Sequence, residues 1–103
     1  MPDPARQLAE LHAAGFEVQT FERYPKAVGV LRGGAIALVE PTPAGLRMIG
    51  IPGWRMGEVM GVLVEKNGQK LFQAKQEVIE ATPERVAVLE RLKADIAAFL
   101  AKE

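Results

Sequence analysis

The sequence predicts an α+β domain with an N-terminal helix, a six-stranded, mostly antiparallel meander sheet, and a long C-terminal helix packed on the sheet. Three observations predict it. Helix start signals stand near both ends, at Asp3-Pro4 and at Thr82-Pro83-Glu84. Between them, short β-like runs are separated by turn sequences such as Gly33-Gly34 and Asn67-Gly68. The connections are too short for parallel strands, which need crossovers of about a dozen residues or more. A PH-like, partly closed barrel with one terminal helix satisfies the same observations and stands as the alternative. With 103 residues, 49% of them hydrophobic and 25% charged, the chain has the size and composition of one domain, 1–103, with a core of its own.

Asp3 is a good N-cap, and Pro4 at the first helical position loses no hydrogen bond. The first helix then runs to Ala14, with Leu8 and Leu11 on one side and Gly15 as its left-handed stop. Thr82, Pro83 and Glu84 repeat the signal for the last helix, from about Pro83 to Ala101. Its stripe is Val86, Leu89, Leu92, Ile96, Phe99 and Leu100, with Arg91 and Asp95 as an i,i+4 pair on the other side. The strands are expected at Phe16–Glu22, Ala27–Arg32, Ala35–Glu40, Leu46–Ile51, Glu58–Glu65 and Lys70–Ala74. The segment Lys75–Ala81 suits either a further strand or a helical turn.

Hairpin turns fix register, and register fixes faces. A two-residue loop at Gly33-Gly34 sets Arg32 opposite Ala35, and one at Asn67-Gly68 sets Glu65 opposite Lys70. A loop from Pro41 to Gly45 sets Glu40 opposite Leu46. One face then carries Leu31, Ile36, Leu38, Leu46, Met48, Leu63 and Phe72. This large-residue face is the expected seat of the helices. The other carries Val28, Val30, Ala35, Ala37, Val39, Ile49 and Ile51, with Arg32 and Arg47. Helices about 10 Å wide cover only about four strands between them. An apolar face is therefore left over, and monomers rarely expose large ones. Val28, Val30, Val39, Ile49 and Ile51 are accordingly the expected interface of a homodimer.

The side-chain inventory narrows the chemistry. Thirteen basic and thirteen acidic residues cancel, which disfavours a nucleic-acid binder. There is no cysteine and no serine, so thiolate and serine nucleophiles are excluded, as are cysteine metal sites. The single histidine, His12, reads as a semi-exposed helix residue. No Asp/Glu pair shows a convincing metal spacing; Glu77 and Glu80, three apart, suit a solvated face. The cluster Gly50, Gly53, Gly57 and Gly61 matches no phosphate loop. No catalytic residue, metal or cofactor is expected. The uncharged stretches are far shorter than the about 20 residues of a membrane helix, and Met1–Pro4 lacks the character of a signal peptide, so a cytoplasmic protein is expected.

Two functional readings remain. One is a non-catalytic binding or assembly module that uses the second sheet face and a loop at Pro52–Gly57. That loop carries the only tryptophan, Trp54, with Arg55 and Met56, residue types enriched at binding surfaces. The other is a small-molecule binding protein or enzyme with a pocket between sheet and helices, where Arg32, Arg47, Arg55 or His12 supply the polarity that suits an anionic ligand.

Overall fold

A computed structural model describes residues 3–101. The elements run α1 (Pro4–Ala13), β1 (Glu17–Thr20), β2 (Val28–Arg32), β3 (Ala35–Thr42), β4 (Gly45–Met56), β5 (Val59–Lys66), β6 (Gln69–Gln73), β7 (Val78–Glu80) and α2 (Pro83–Ala101). The strands form one antiparallel meander in chain order, curled into a half-barrel on which α2 packs. The α+β architecture is as expected, with one strand more, because part of segment 75–81 forms β7 beside β6.

Both helices begin at their capping residues. The Asp3 carboxylate accepts the Ala5 N–H at 3.0 Å, and Thr82 Oγ1 accepts the Arg85 N–H at 3.2 Å. Leu89, Leu92 and Ile96 are buried along α2, flanked by half-buried Val86, Phe99 and Leu100. Asp95 does not pair with Arg91. Its carboxylate binds the guanidinium of Arg32 on β2, which also lies over the Phe16 ring at 4.4 Å. Asp95 thereby ties α2 to the sheet.

The helices lie on one face, as their width requires, but it is the small-residue face. Val30, Ala35, Ala37 and Val39 are fully buried in one core with Leu11 of α1 and with Leu89, Leu92 and Ile96 of α2. Small side chains let the helix backbones approach the sheet closely. Val28 lines the same core, so Val28, Val30 and Val39 are covered by the chain's own helices and form no spare face.

The expected turn after β3 is also corrected. Only Pro43 and Ala44 separate the paired residues Thr42 and Gly45, so Glu40 faces Arg47 and Val39 faces Met48. Thr42 closes this tight turn with its hydroxyl, donating to the Gly45 carbonyl and accepting the Ala44 N–H. One residue of slip exchanges the faces of the neighbouring strand. Leu46 and Met48 therefore join the helix-side core. Ile49 joins the opposite cluster. Arg47 moves to the face opposite Arg32 and pairs with Glu40 at 3.1 Å.

If α2 is held by its apolar stripe, Leu92→Ala or Ile96→Ala should cost about 2–5 kcal/mol in urea melts. Asp95→Ala should cost less than about 1 kcal/mol, since its ion pair with Arg32 is part-exposed. Arg91→Ala should cost less still.

Candidate association surface

The outward face of the sheet has two halves. Over β2 and β3 it is closed by the β1–β2 connection, which folds back across it. Phe21 and Ala27 are buried there with Leu31, Ile36 and Leu38, and Tyr24, Ile49 and Met60 pack around them. Phe21 fits because residue 29 is glycine, where a Cβ would stand 2.5 Å from the Phe21 ring. Tyr24 meets Phe21 edge to face at 6.5 Å. The Arg55 guanidinium lies over the same ring at 5.5 Å, while its Nε donates to the Gly57 carbonyl. The large-residue face expected to seat the helices is thus sealed by a loop.

The second half, over β5–β7, is open. The exposed large hydrophobic residues among those described are Ile51, Val62, Leu63 and Val78, at 71%, 43%, 37% and 50% exposure. Val62, Leu63 and Val78 stand on β5 and β7. Ile51 stands on β4, close in sequence to the point where β4 and β5 part. Paired residues share a face, so Val62, Gln73 and Val78 form one outward row and Val64, Leu71 and Glu80 the next. Leu63, Phe72 and Ile79 point toward the helix side, where Phe72 is fully buried.

The strands part because of a bulge. On β3, Ile36 faces Gly53 and Leu38 faces Ile49, so Gly50, Ile51 and Pro52 together stand opposite Ala37. Gly50 takes a left-handed φ of 66°, which turns the strand. Pairing of β4 with β5 stops at Trp54–Gly61. The next hydrogen-bonded partner of Leu63 would be Pro52, which has no N–H to give. Beyond Gly61, β5 pairs only with β6.

The segment expected as a binding loop is mostly strand. Trp54 stacks on Phe72 with centroids 5.2 Å apart and rings 15° from parallel. Met56 is buried in the same core, and Arg55 alone of the three turns outward. Among the described residues no three His, Asp or Glu side chains converge to hold a metal ion, and no helix is long and apolar enough to cross a membrane. Shallow, open depressions of about 230, 320 and 320 Å³ surround Arg32, whose guanidinium is already engaged by Asp95 and Phe16. His12 is exposed at the last turn of α1. Compared with known proteins, the chain matches no family model, no curated protein and no solved structure.

One structural residue escaped the sequence reading. Gln7 is 3% exposed, and its Oε1 accepts the Leu46 N–H at 2.7 Å. Its signal was position: it lies four residues before Leu11, on the buried side of α1. Gln7→Leu removes the acceptor of this part-buried N–H, and should cost about 1–3 kcal/mol in chemical denaturation. Phe21→Ala should cost about 3–5 kcal/mol and raise binding of a hydrophobic dye, because it uncovers the outward face.

Proposed function

We propose that this chain is a non-catalytic association module whose docking surface is the β5–β7 arm, and whose first partner is a second copy of itself. The carrying observation is the apolar surface the arm leaves open: exposed Val62 and Val78 on its outward face, with half-buried Val64 and Leu71 in the next row, and exposed Leu63 on the helix side of the same strand. Such residues scattered singly need no explanation, whereas clustered ones mark interaction sites. The face first expected to serve for association is covered by the helices, so the reading moves to the outward side of the arm, beyond the part of the sheet that the β1–β2 connection covers. A small-anion site at Arg32 has less support, because the guanidinium has its carboxylate partner within the chain.

Light scattering on the purified chain should give a mass that rises with concentration toward that of two chains. Arg32→Ala should leave that rise unchanged. A thermal-shift titration with inorganic phosphate or citrate should leave Tm where it is. A saturable increase would overturn the association reading in favour of a ligand site.

A further inference from the structure

We infer that two copies join edge to edge through β5, with Val64 on the two-fold axis, to form one continuous sheet β7-β6-β5-β5-β6-β7. The inference rests on the association reading above and adds the atoms that carry it. Strand β5 closes two-residue turns at both ends, at Gly57-Glu58 and at Asn67-Gly68. Hydrogen bonding alternates from each turn, and both ends give the same parity. Val62, Val64 and Lys66 direct their backbone groups to β6. Val59, Gly61, Leu63 and Glu65 direct theirs to the β4 side. Val59 and Gly61 find β4 there, but Leu63 and Glu65 have no strand partner among the described residues.

The other edges of the sheet are short or partly occupied. The outermost strands β1 and β7 have only four and three residues, and short edges make poor templates. The freed edge of β4 carries the Leu46 N–H, which Gln7 occupies. The edge of β5 has no such guard. It runs through exposed Val62 and Leu63, without proline and without a bulge.

A second β5 fits this edge in one register. With Leu63 opposite the partner's Glu65 and Glu65 opposite the partner's Leu63, both free N–H groups and both free carbonyls of each copy are used, giving four backbone hydrogen bonds. Val64 then meets its own copy on the outward face, with Leu71 behind each, so an apolar row of four crosses the junction. Lys66 lies beside the partner's Val62, where its aliphatic stem covers the valine. Shifting by two residues one way sets Glu65 against Glu65, opposing like charges. The other shift calls on Gly61, whose groups are already bonded to Trp54.

Area argues against stacking of the face alone. Three strands about 4.8 Å apart, each about five residues of 3.4 Å, give the outward face of the arm a footprint of only about 250 Å². A standard interface buries about 800 Å² per partner. Stacking of the face alone falls short, whereas the edge adds directional backbone bonds. The joined sheet also doubles the width of the apolar face.

Glu65→Pro tests the inference, since it removes an N–H that β6 does not use. Circular dichroism should be unchanged, and dimer dissociation should become about tenfold to hundredfold easier, with two of the four hydrogen bonds gone. In the unaltered chain, amide exchange at Leu63 and Glu65 should slow as concentration rises, while Val62 and Val64 stay protected throughout. That measurement decides the matter if the proline variant fails to fold. Unchanged exchange at Leu63 and Glu65 in a chain that still associates, with association lost in Val78→Asp, overturns edge pairing and leaves the association reading standing. A single species of one-chain mass up to hundreds of micromolar overturns both.

Discussion

Three residues of β4 against one of β3 is the constraint from which the shape of this protein follows. Gly50, Ile51 and Pro52 take the space opposite Ala37, and β4 bends there. Before the bulge the strand belongs to the helix-covered half of the sheet, with Leu46 and Met48 in the main core. After it, Trp54 and Met56 carry the core onward to Phe72 and Val59. A flat sheet would pair β4 with β5 along its whole length. The bend and the missing N–H of Pro52 release β5 after Gly61. The same distortion that curls the sheet therefore also lengthens the molecule, which spans 46 × 26 × 19 Å.

The two faces are closed by different means. Ala35 and Ala37 leave room for the bulk of α1 and α2, so the helices settle on the β-branched and alanine face. Leu31, Ile36 and Leu38 stand on the other face of the same strands. A loop can meet them side chain by side chain, and Phe21 and Tyr24 do so. Gly29 makes the arrangement possible by giving the Phe21 ring a place to lie. Arg55 holds that ring from above, so the connection is fixed without secondary structure of its own.

The elements were legible in the sequence because their signals are local. Asp3-Pro4 and Thr82-Pro83 mark the helix starts, and Asn67 and Gly68 both take the positive φ their hairpin demands. The pairing of Glu65 with Lys70 follows from that turn alone. The faces were not legible, for two reasons of different kind. The Thr42 hydroxyl tightens a turn whose Pro-Thr-Pro-Ala-Gly sequence also suits a longer loop, and one residue of slip inverts the next strand. The bulge then adds two residues to β4, so even a correct turn would not have placed Trp54. The choice of helix seat needed a comparison of close approach against apolar area, which periodicity does not contain. Fold-back of Phe21 onto Gly29 is a contact eight residues long in sequence and was hidden inside a run that also reads as strand.

These errors share a direction that bears on function. Sequence patterning found more apolar surface than two helices cover, and that surplus is real. It does not lie at the residues the pattern predicts, which the chain itself covers: Val28, Val30 and Val39 beneath the helices, and Ile49 within the loop-covered cluster. Only Ile51 of that set is exposed, and it lies at the bulge. Helix and loop both reach the strands before the bulge. Beyond Gly61, Phe72, Ile79 and Ala81 join the main core on the helix side, and among the described residues nothing comparable to Phe21 crosses the outer side. The uncovered surface is consequently where the sheet has parted from itself. There an open apolar face and an unused backbone edge coincide on one strand: Val62 and Val64 turn their side chains to the face, and Leu63 and Glu65 turn their backbone groups to the edge.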